Sequence, residues 1–509
     1  MTAVTTNTAA TDAPTGQSAL DRYFGITRRG STIGREIRGG LVTFFAMAYI
    51  IALNPLILGT AVDKNGLLIS GAPQLLASGE VDHAAVAASI GMVAAATALI
   101  AGVMTILMGV IGRFPMGIAA GLGLNALVAY VLAPQMTWAQ AMGLVVWEGV
   151  LIAILVLTGF RTAVFRAVPK TLRTAISVGI GLFIAFVGLM NAGVVRRGAG
   201  TPVELGVGGS LVGWPILVFL VGFFLLIALH TLRVKGAILI SIAVATVLAI
   251  IVEAVAKVGP QTPDGANPTG WALNVPQLSD FSLPNLSLLG NIDLFGAFFP
   301  DGRFSLTVTL TLVVLVFSLL LADFFDTMGT VVAVGSEGSL LDEQGMPERT
   351  TEILLVDSAA AIAGGLGSVS SNTCYVESTT GVGEGARTGL ASVVTGVAFL
   401  VAIFLAPVIN MVPSEAASPA LAFVGFLMIS QVVDIDWSKP EFGIPAFFTI
   451  IFMPFAYSIT TGIGVGFLAY VFLMVVKGQG RRVHPLMYVV AAMFIVYFLQ
   501  GPLIDLIAG

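Results

Sequence analysis

Five carboxylates stand inside runs that are otherwise almost wholly apolar: Glu148, Asp323, Asp326, Asp357 and Glu377. A charge at the centre of a membrane-spanning helix costs roughly 2.5–3.5 kcal/mol on insertion scales, so an acid kept there is a functional candidate. Asp323 and Asp326, in Leu321-Ala-Asp-Phe-Phe-Asp-Thr-Met-Gly-Thr330, lie three apart and share a helix face. Two carboxylates that close and partly dehydrated do not both ionise easily, so one is expected to hold a proton near neutral pH. Proton-coupled transport needs such a group, and Asp323, Asp326 and Glu377 are the proton-coupling candidates.

Two short polar sequences interrupt the apolar pattern at what should be membrane depth. They are Gly121-Leu-Gly-Leu-Asn125 and Ser370-Ser-Asn-Thr-Cys-Tyr-Val-Glu377. Irregular backbone is tolerated there only where protein encloses it or it lines a cavity. Paired interruptions in corresponding halves of a membrane chain point to a transporter's binding site. Plainer roles compete at several positions. Gly121 and Gly123 could serve close helix packing, and Glu377 could cap the half-helix beside it. Asp323 or Asp326 could bond a neighbouring span, and Asp357, next to Ser358 in an Ala/Gly-rich helix, reads as a helix–helix contact. Glu148, beside Trp147, fits either reading. Phe324 and Phe325 read as packing residues, and Arg387 as an anchor at a span end.

The elements that hold these residues follow from composition. The chain has 509 residues, 57% hydrophobic and 10% charged, far below the roughly 25% charged content of a soluble domain, which makes it a polytopic membrane protein. Its net charge of −5 and lack of any large basic cluster give no footprint for nucleic acid. One cysteine, Cys374, excludes an intramolecular disulfide, and three histidines leave no plausible zinc site. Residues 1–20 contain no Lys or Arg, unlike a secretory signal, and are expected to form a disordered tail.

Apolar runs predict spans near 37–57, 85–111, 118–134, 138–159, 171–194, 213–230 and 234–257. A polar stretch at 259–300 separates these from 304–332, 352–367, a half-span at 376–385, 387–411, 416–433, 443–457 and 461–476. The long run 443–476 is divided at Ser458-Ile-Thr-Thr-Gly462, and 484–506 is left over as an extra hydrophobic segment of open disposition. Seven crossings bring the second half in upside down, the inverted-repeat arrangement of secondary transporters. Arg28, Arg29, Arg35, Arg38, Arg113, Arg161, Arg166, Lys170, Arg173, Arg233, Lys235, Arg387, Lys477, Arg481 and Arg482 then fall on one side. That side is expected to be cytoplasmic and to hold the amino terminus; Arg196 and Arg197 are exceptions.

Four motifs in order carry a resemblance: Thr43-Phe-Phe-Ala-Met-Ala-Tyr-Ile-Ile-Ala-Leu-Asn-Pro55, Gly121-Leu-Gly-Leu-Asn-Ala126, Asp323-Phe-Phe-Asp-Thr-Met-Gly-Thr330, and Tyr375-Val-Glu-Ser378 with Gly381-Val-Gly-Glu-Gly385. From about residue 22 to 500 the chain resembles the AzgA-like purine permeases of the nucleobase–cation symporter-2 (xanthine/uracil permease) family. The resemblance implies an all-α fold of 14 transmembrane segments in two inverted seven-helix repeats, with short strands and half-helices in segments 3 and 10. It implies a core domain (21–160 and 301–412), a gate domain (161–258 and 413–478), an extracellular loop (259–300) and a C-terminal hydrophobic segment (479–509). A homodimer through the gate domain is also implied.

By motif, Asn125, Asp323 and Glu377 match the family's substrate-binding positions, with Asp326 and Thr327 as neighbours affecting activity. Gly123 and Thr373 complete the candidate substrate-binding set. Asn372-Thr-Cys374 stands where Thr and Ser are more usual, and Ala386 replaces a glycine. The implied activity is uptake of purine nucleobases across the cell membrane, with H⁺ as the coupling ion and no cofactor. A carboxylate accepting from ring N–H groups and an amide offering both donor and acceptor suit a purine edge. An anion carrier of the same general fold is the alternative, although its anion would meet the acids Asp323 and Glu377. An intramembrane protease is excluded, because the closest aspartates share one helix face and no histidine lies mid-span.

Overall fold

In the computed structural model the described residues are 18–159, 167–198, 200–262, 267–276, 283–300, 303, 305–342, 346–405, 409 and 411–499. Most of the expected tail, Arg161, Arg166 and the end of the C-terminal segment lie outside them.

Each apolar run folds as a helix because hydrocarbon offers no partner for backbone N–H and C=O groups, so they pair within the segment. Helices α1 (Ala19–Phe24), α2 (Ile33–Met47), α3 (Ile50–Leu58) and α4 (His83–Leu107) open the chain. Strand β1 (Ile118–Ala120) leads into α5 (Leu122–Leu127), followed by α6 (Trp138–Leu157) and α7 (Lys170–Asn191). A small hairpin, β2 (Val195–Arg196) with β3 (Glu204–Leu205), precedes α8 (Trp214–Thr231) and α9 (Ala237–Ala256). The second half holds α10 (Leu306–Glu337), α11 (Thr350–Leu366), β4 (Asn372–Cys374), α12 (Ser378–Gly383) and α13 (Gly389–Ala402). It ends with α14 (Ser414–Ile429), α15 (Pro440–Phe455), α16 (Ile459–Val476) and α17 (Pro485–Phe498). Among the described residues nine helices are long and apolar enough to cross a membrane.

Local signals set the boundaries. Thr137 and Gln140 form a reciprocal capping box at the start of α6, satisfying donors that a helix start otherwise leaves bare. The run 443–476 does divide where expected. Tyr457 adopts a left-handed backbone, φ 51°, and Ser458 accepts from Thr461 N to begin α16. The final helix α17 has 14 residues, hence about 21 Å at 1.5 Å per residue, short of a bilayer core of about 30 Å. It packs on α16 through Phe494 and Phe467, whose ring centroids are 6.2 Å apart.

Two features were not visible in the sequence. The connection 259–300 is more than a solvated loop: its Trp271 is fully buried and donates to Glu253 Oε2 at 2.7 Å, and Asn274 donates to Val412 O. Arg196, an exception in the charge pattern, donates to Pro268 O at 2.8 Å and so ties the hairpin to that connection.

The interrupted elements meet in the interior. Strands β1 and β4 pair antiparallel, with Ile118 opposite Cys374, Ala119 opposite Thr373 and Ala120 opposite Asn372. Gly121 N to Ser371 O and Tyr375 N to Gly117 O, each 3.0 Å, extend the ladder at both ends. Because the strands run in opposite senses, α5 and α12 leave the ladder in opposite directions. The turn into β4 places Ser368 and Ser370 at φ 56° and 68°, a left-handed conformation that costs a non-glycine residue roughly 1–2 kcal/mol. Asn54, from α3, offsets this by donating to Val369 O at 3.2 Å and to Thr97 Oγ1 at 2.8 Å.

Candidate functional site

Glu377 stands at the amino end of α12, but its side chain does not cap that helix. Its Oε1 accepts a hydrogen bond from the Tyr49 hydroxyl, at the start of α3. Tyr375 donates to Ala120 O at 2.5 Å, fixing the β4–α12 junction against β1. A close contact between α2 and α12 seats this arrangement. A methyl group on Gly39 would lie 2.6 Å from Ala386 Cβ, and one on Gly381 would strike the Gly39 carbonyl, so glycine at both places permits the approach.

The two aspartates of α10 take different environments. Asp323 is fully enclosed and turns toward Glu148 of α6 and Ser371. Asp326 is solvent-accessible and close enough to both Asp323 and Glu377 to feel their charges. Three residues on a helix differ by about 60° around the axis, which suffices to turn one acid inward and its neighbour outward. Gly329 and Val376 are exposed beside Asp326, and Phe325 and Glu377 are half-buried. An acid facing hydrocarbon would be costly, so this accessible face of α10 and the start of α12, called the recess below, is the candidate approach for water and substrate. Arg173 of α7 lies over the Phe325 ring at its edge, 5.6 Å from the centroid. Asp326 therefore links the two acids, while Asp323 stands behind it rather than directly against Glu377.

Asn125, on α5, is fully buried, and neither end of its amide has a hydrogen-bond partner. Gly123 lies against α7, where an added Cβ would be 2.6 Å from Ile180 Cγ2. Thr373 sits in a closed network: its hydroxyl is 2.7 Å from that of Thr327, which donates to Asp357 Oδ2 at 2.9 Å. The Cys374 thiol donates to Asp357 Oδ1 at 3.3 Å. Asp357 thus serves the contact of α11 with α10 and β4. Arg387 closes the far end of α12, donating to Val382 O and Ala386 O at 2.6 and 2.7 Å.

Sequence reasoning missed Tyr49 as the partner of Glu377, although Tyr49 lies within the first motif. It also left Glu148 out of the site, because nothing local to α6 indicates which helix that acid faces. Among the described residues no group of three or more His, Cys, Asp and Glu could hold a metal ion.

A mostly helical membrane fold, broken at two paired elements around buried acids, is that of a carrier. Residues 34–465 match the family profile Xan_ur_permease, described as the permease family, and the chain belongs to that family. It is a multi-pass transport protein and not an enzyme. It is similar to "Guanine/hypoxanthine permease PbuG" of Bacillus subtilis (strain 168), 36% identical over 94% of this chain and 99% of that one. "Adenine permease AdeP" of Escherichia coli (strain K12) is 34% identical over 95% of this chain and 97% of that one. Among solved structures, the transmembrane domain of a cyanobacterium bicarbonate transporter, BicA, has TM-score 0.54 at 16% identity, covering 85% of this chain and 96% of that one. Murine Slc26a9, an anion transporter in the inward-facing state, has TM-score 0.58 at 12% identity, covering 92% and 74%. At these identities the structural likeness concerns the fold alone.

Proposed function

We propose that the protein carries purine nucleobases into the cell by proton-coupled symport with alternating access. The observation that carries this reading is that the accessible acid Asp326 lies within electrostatic reach of Glu377, whose carboxylate accepts from Tyr49. Relatives whose printed names specify guanine, hypoxanthine or adenine permeases support the substrate class. Purines are flat and uncharged, with donors and acceptors along their edges. Glu377 accepts from ring N–H groups, and Asn125 offers an otherwise unpaired amide. A ring that fails to pair such groups is strongly penalised. Asp323, behind Asp326, carries or gates the coupling proton. The anion-carrier alternative is disfavoured, because an anion entering the recess would meet Asp326 and Glu377.

In this reading the chain forms 14 segments in two inverted repeats, with the amino terminus in the cytoplasm of a cell whose plasma membrane it spans. The core comprises 21–160 and 301–412, and moves against a gate of 161–258 and 413–478. A second copy docks on the gate, while 259–300 faces outward. The deciding experiment is uptake of labelled hypoxanthine, guanine and adenine by cells lacking their own purine permeases, with and without a protonophore. Accumulation abolished by the protonophore is expected. Competition by sulfate or bicarbonate, with no purine uptake, would reject the proposal. Asp323→Asn is expected to uncouple uptake from the pH gradient.

A further inference from the structure

Glu148 lies near the middle of α6, fully buried, and nothing above gives it a task. The groups acting on it come from three other segments: Asp323 of α10, Ser371 before β4, and Asp357 of α11. The charged groups among them are both acids. Helix α6 packs on both α10 and α11, so this setting is built into the helix bundle.

The acids of this cluster differ in how their oxygens are served. Both oxygens of Asp357 have donors, from Thr327 and Cys374. Both oxygens of Glu148, both of Asp323 and the Ser371 hydroxyl are buried without a hydrogen-bond partner. A carboxylate only accepts, so two ionised carboxylates facing each other leave each other unsatisfied. One proton changes this: the carboxylic O–H of either acid can donate to the other. A purely structural acid in so dry a place would need donors of the kind Asp357 has. Asp323 is also within electrostatic reach of Asp326, which is on the accessible face. The three acids thus run in order from the accessible face to the interior: Asp326, Asp323, Glu148.

We propose that Glu148 and Asp323 together hold the transported proton, as a carboxyl–carboxylate pair set behind the substrate recess, with Glu148 the member remote from substrate. This deepens the symport reading and rests on it. The proton arrives from water through Asp326, is held as an O–H shared across the pair, and leaves by the same acids once the recess opens to the other side. Its charge is balanced by the carboxylate it joins, and no other reactant is required. The substrate meets Glu377 and Asn125, so loss of Glu148 should spare substrate exchange while abolishing coupling.

The test uses the full-length protein reconstituted in liposomes, with labelled hypoxanthine or adenine and an entrapped pH dye. For one proton per purine, a gradient of about one pH unit supports about tenfold accumulation. In Glu148→Gln, exchange of labelled for unlabelled purine without a gradient should persist. Accumulation and purine-driven acidification of the lumen should both be lost. Accumulation and acidification equal to the unsubstituted protein would overturn the proposal. Should Glu148→Gln lose exchange as well, Glu148→Asp decides. The proposal requires that variant to accumulate purine with a displaced pH profile, and an inactive variant or an unmoved profile overturns it. Failure of the unsubstituted protein to exchange any purine would instead reject the symport reading.

Discussion

The Tyr49 hydroxyl donates to Glu377 Oε1 and joins two segments 328 residues apart in the chain. One oxygen of the candidate binding carboxylate is thereby fixed. A hydrogen bond to a charged group contributes about 1.5–3 kcal/mol. If substrate binding depends on that orientation, Tyr49→Phe should raise the KM for purine uptake about tenfold to a hundredfold at 1.4 kcal/mol per decade. Uptake kinetics measure this directly, and an unchanged KM would show that Glu377 needs no such support.

Gly123 brings α5 against α7 with no space for a side chain. A Cβ there would be 2.6 Å from Ile180 Cγ2, so Gly123→Ala should displace α5 and reduce transport. Overpacking of this kind costs typically about 1–3 kcal/mol. Because the clash involves one branched side chain, Ile180→Ala in the same protein should restore much of the activity. Failure of the double variant to recover would place the requirement for glycine in the backbone rather than in this contact.

What the sequence made legible follows from how local each signal is. The break at Ser458 was readable because its cap acts over three residues, and most spans were readable because hydrocarbon demands long apolar runs. The pairing of Ile118 with Cys374 and the meeting of Glu148 with Asp323 join segments far apart in the chain. A single sequence holds no trace of which helix faces which. The spacing of Asp323 and Asp326 was read as one shared face. The helical offset between them instead leaves one acid in the interior and the other accessible.

Asp357 makes a contrasting prediction, because its acceptors are all in use. Removing it takes the acceptor from the Cys374 thiol and leaves the Thr327 hydroxyl with Thr373 alone, all of them buried. Leaving such groups unpaired costs about 1–3 kcal/mol. Asp357→Ala should therefore lower the thermal stability of the detergent-purified protein, and Asp357→Asn, which keeps an acceptor for Thr327, should lower it less. Equal melting temperatures for Asp357→Ala and the unsubstituted protein would refute a structural role for this network.

Lys235, in the turn between α8 and α9, pairs with Glu384 at the end of α12, and Arg38 of α2 meets the same carboxylate at 3.1 Å. The pair crosses between the segments assigned to the gate and those assigned to the core. Its side chains are half exposed on the lysine side and about a quarter exposed on the acid side, so it adds no more than about 1 kcal/mol to stability. Its value is as a ruler of movement, since alternating access requires these segments to part. The one native thiol, Cys374, is buried, which leaves an introduced pair as the accessible target. In Lys235→Cys/Glu384→Cys, a short cleavable thiol cross-linker should stop transport, and cleavage should restore it. Undiminished uptake by fully cross-linked protein would mean that α12 and the α8–α9 turn travel together, and the division between core and gate would have to be drawn elsewhere.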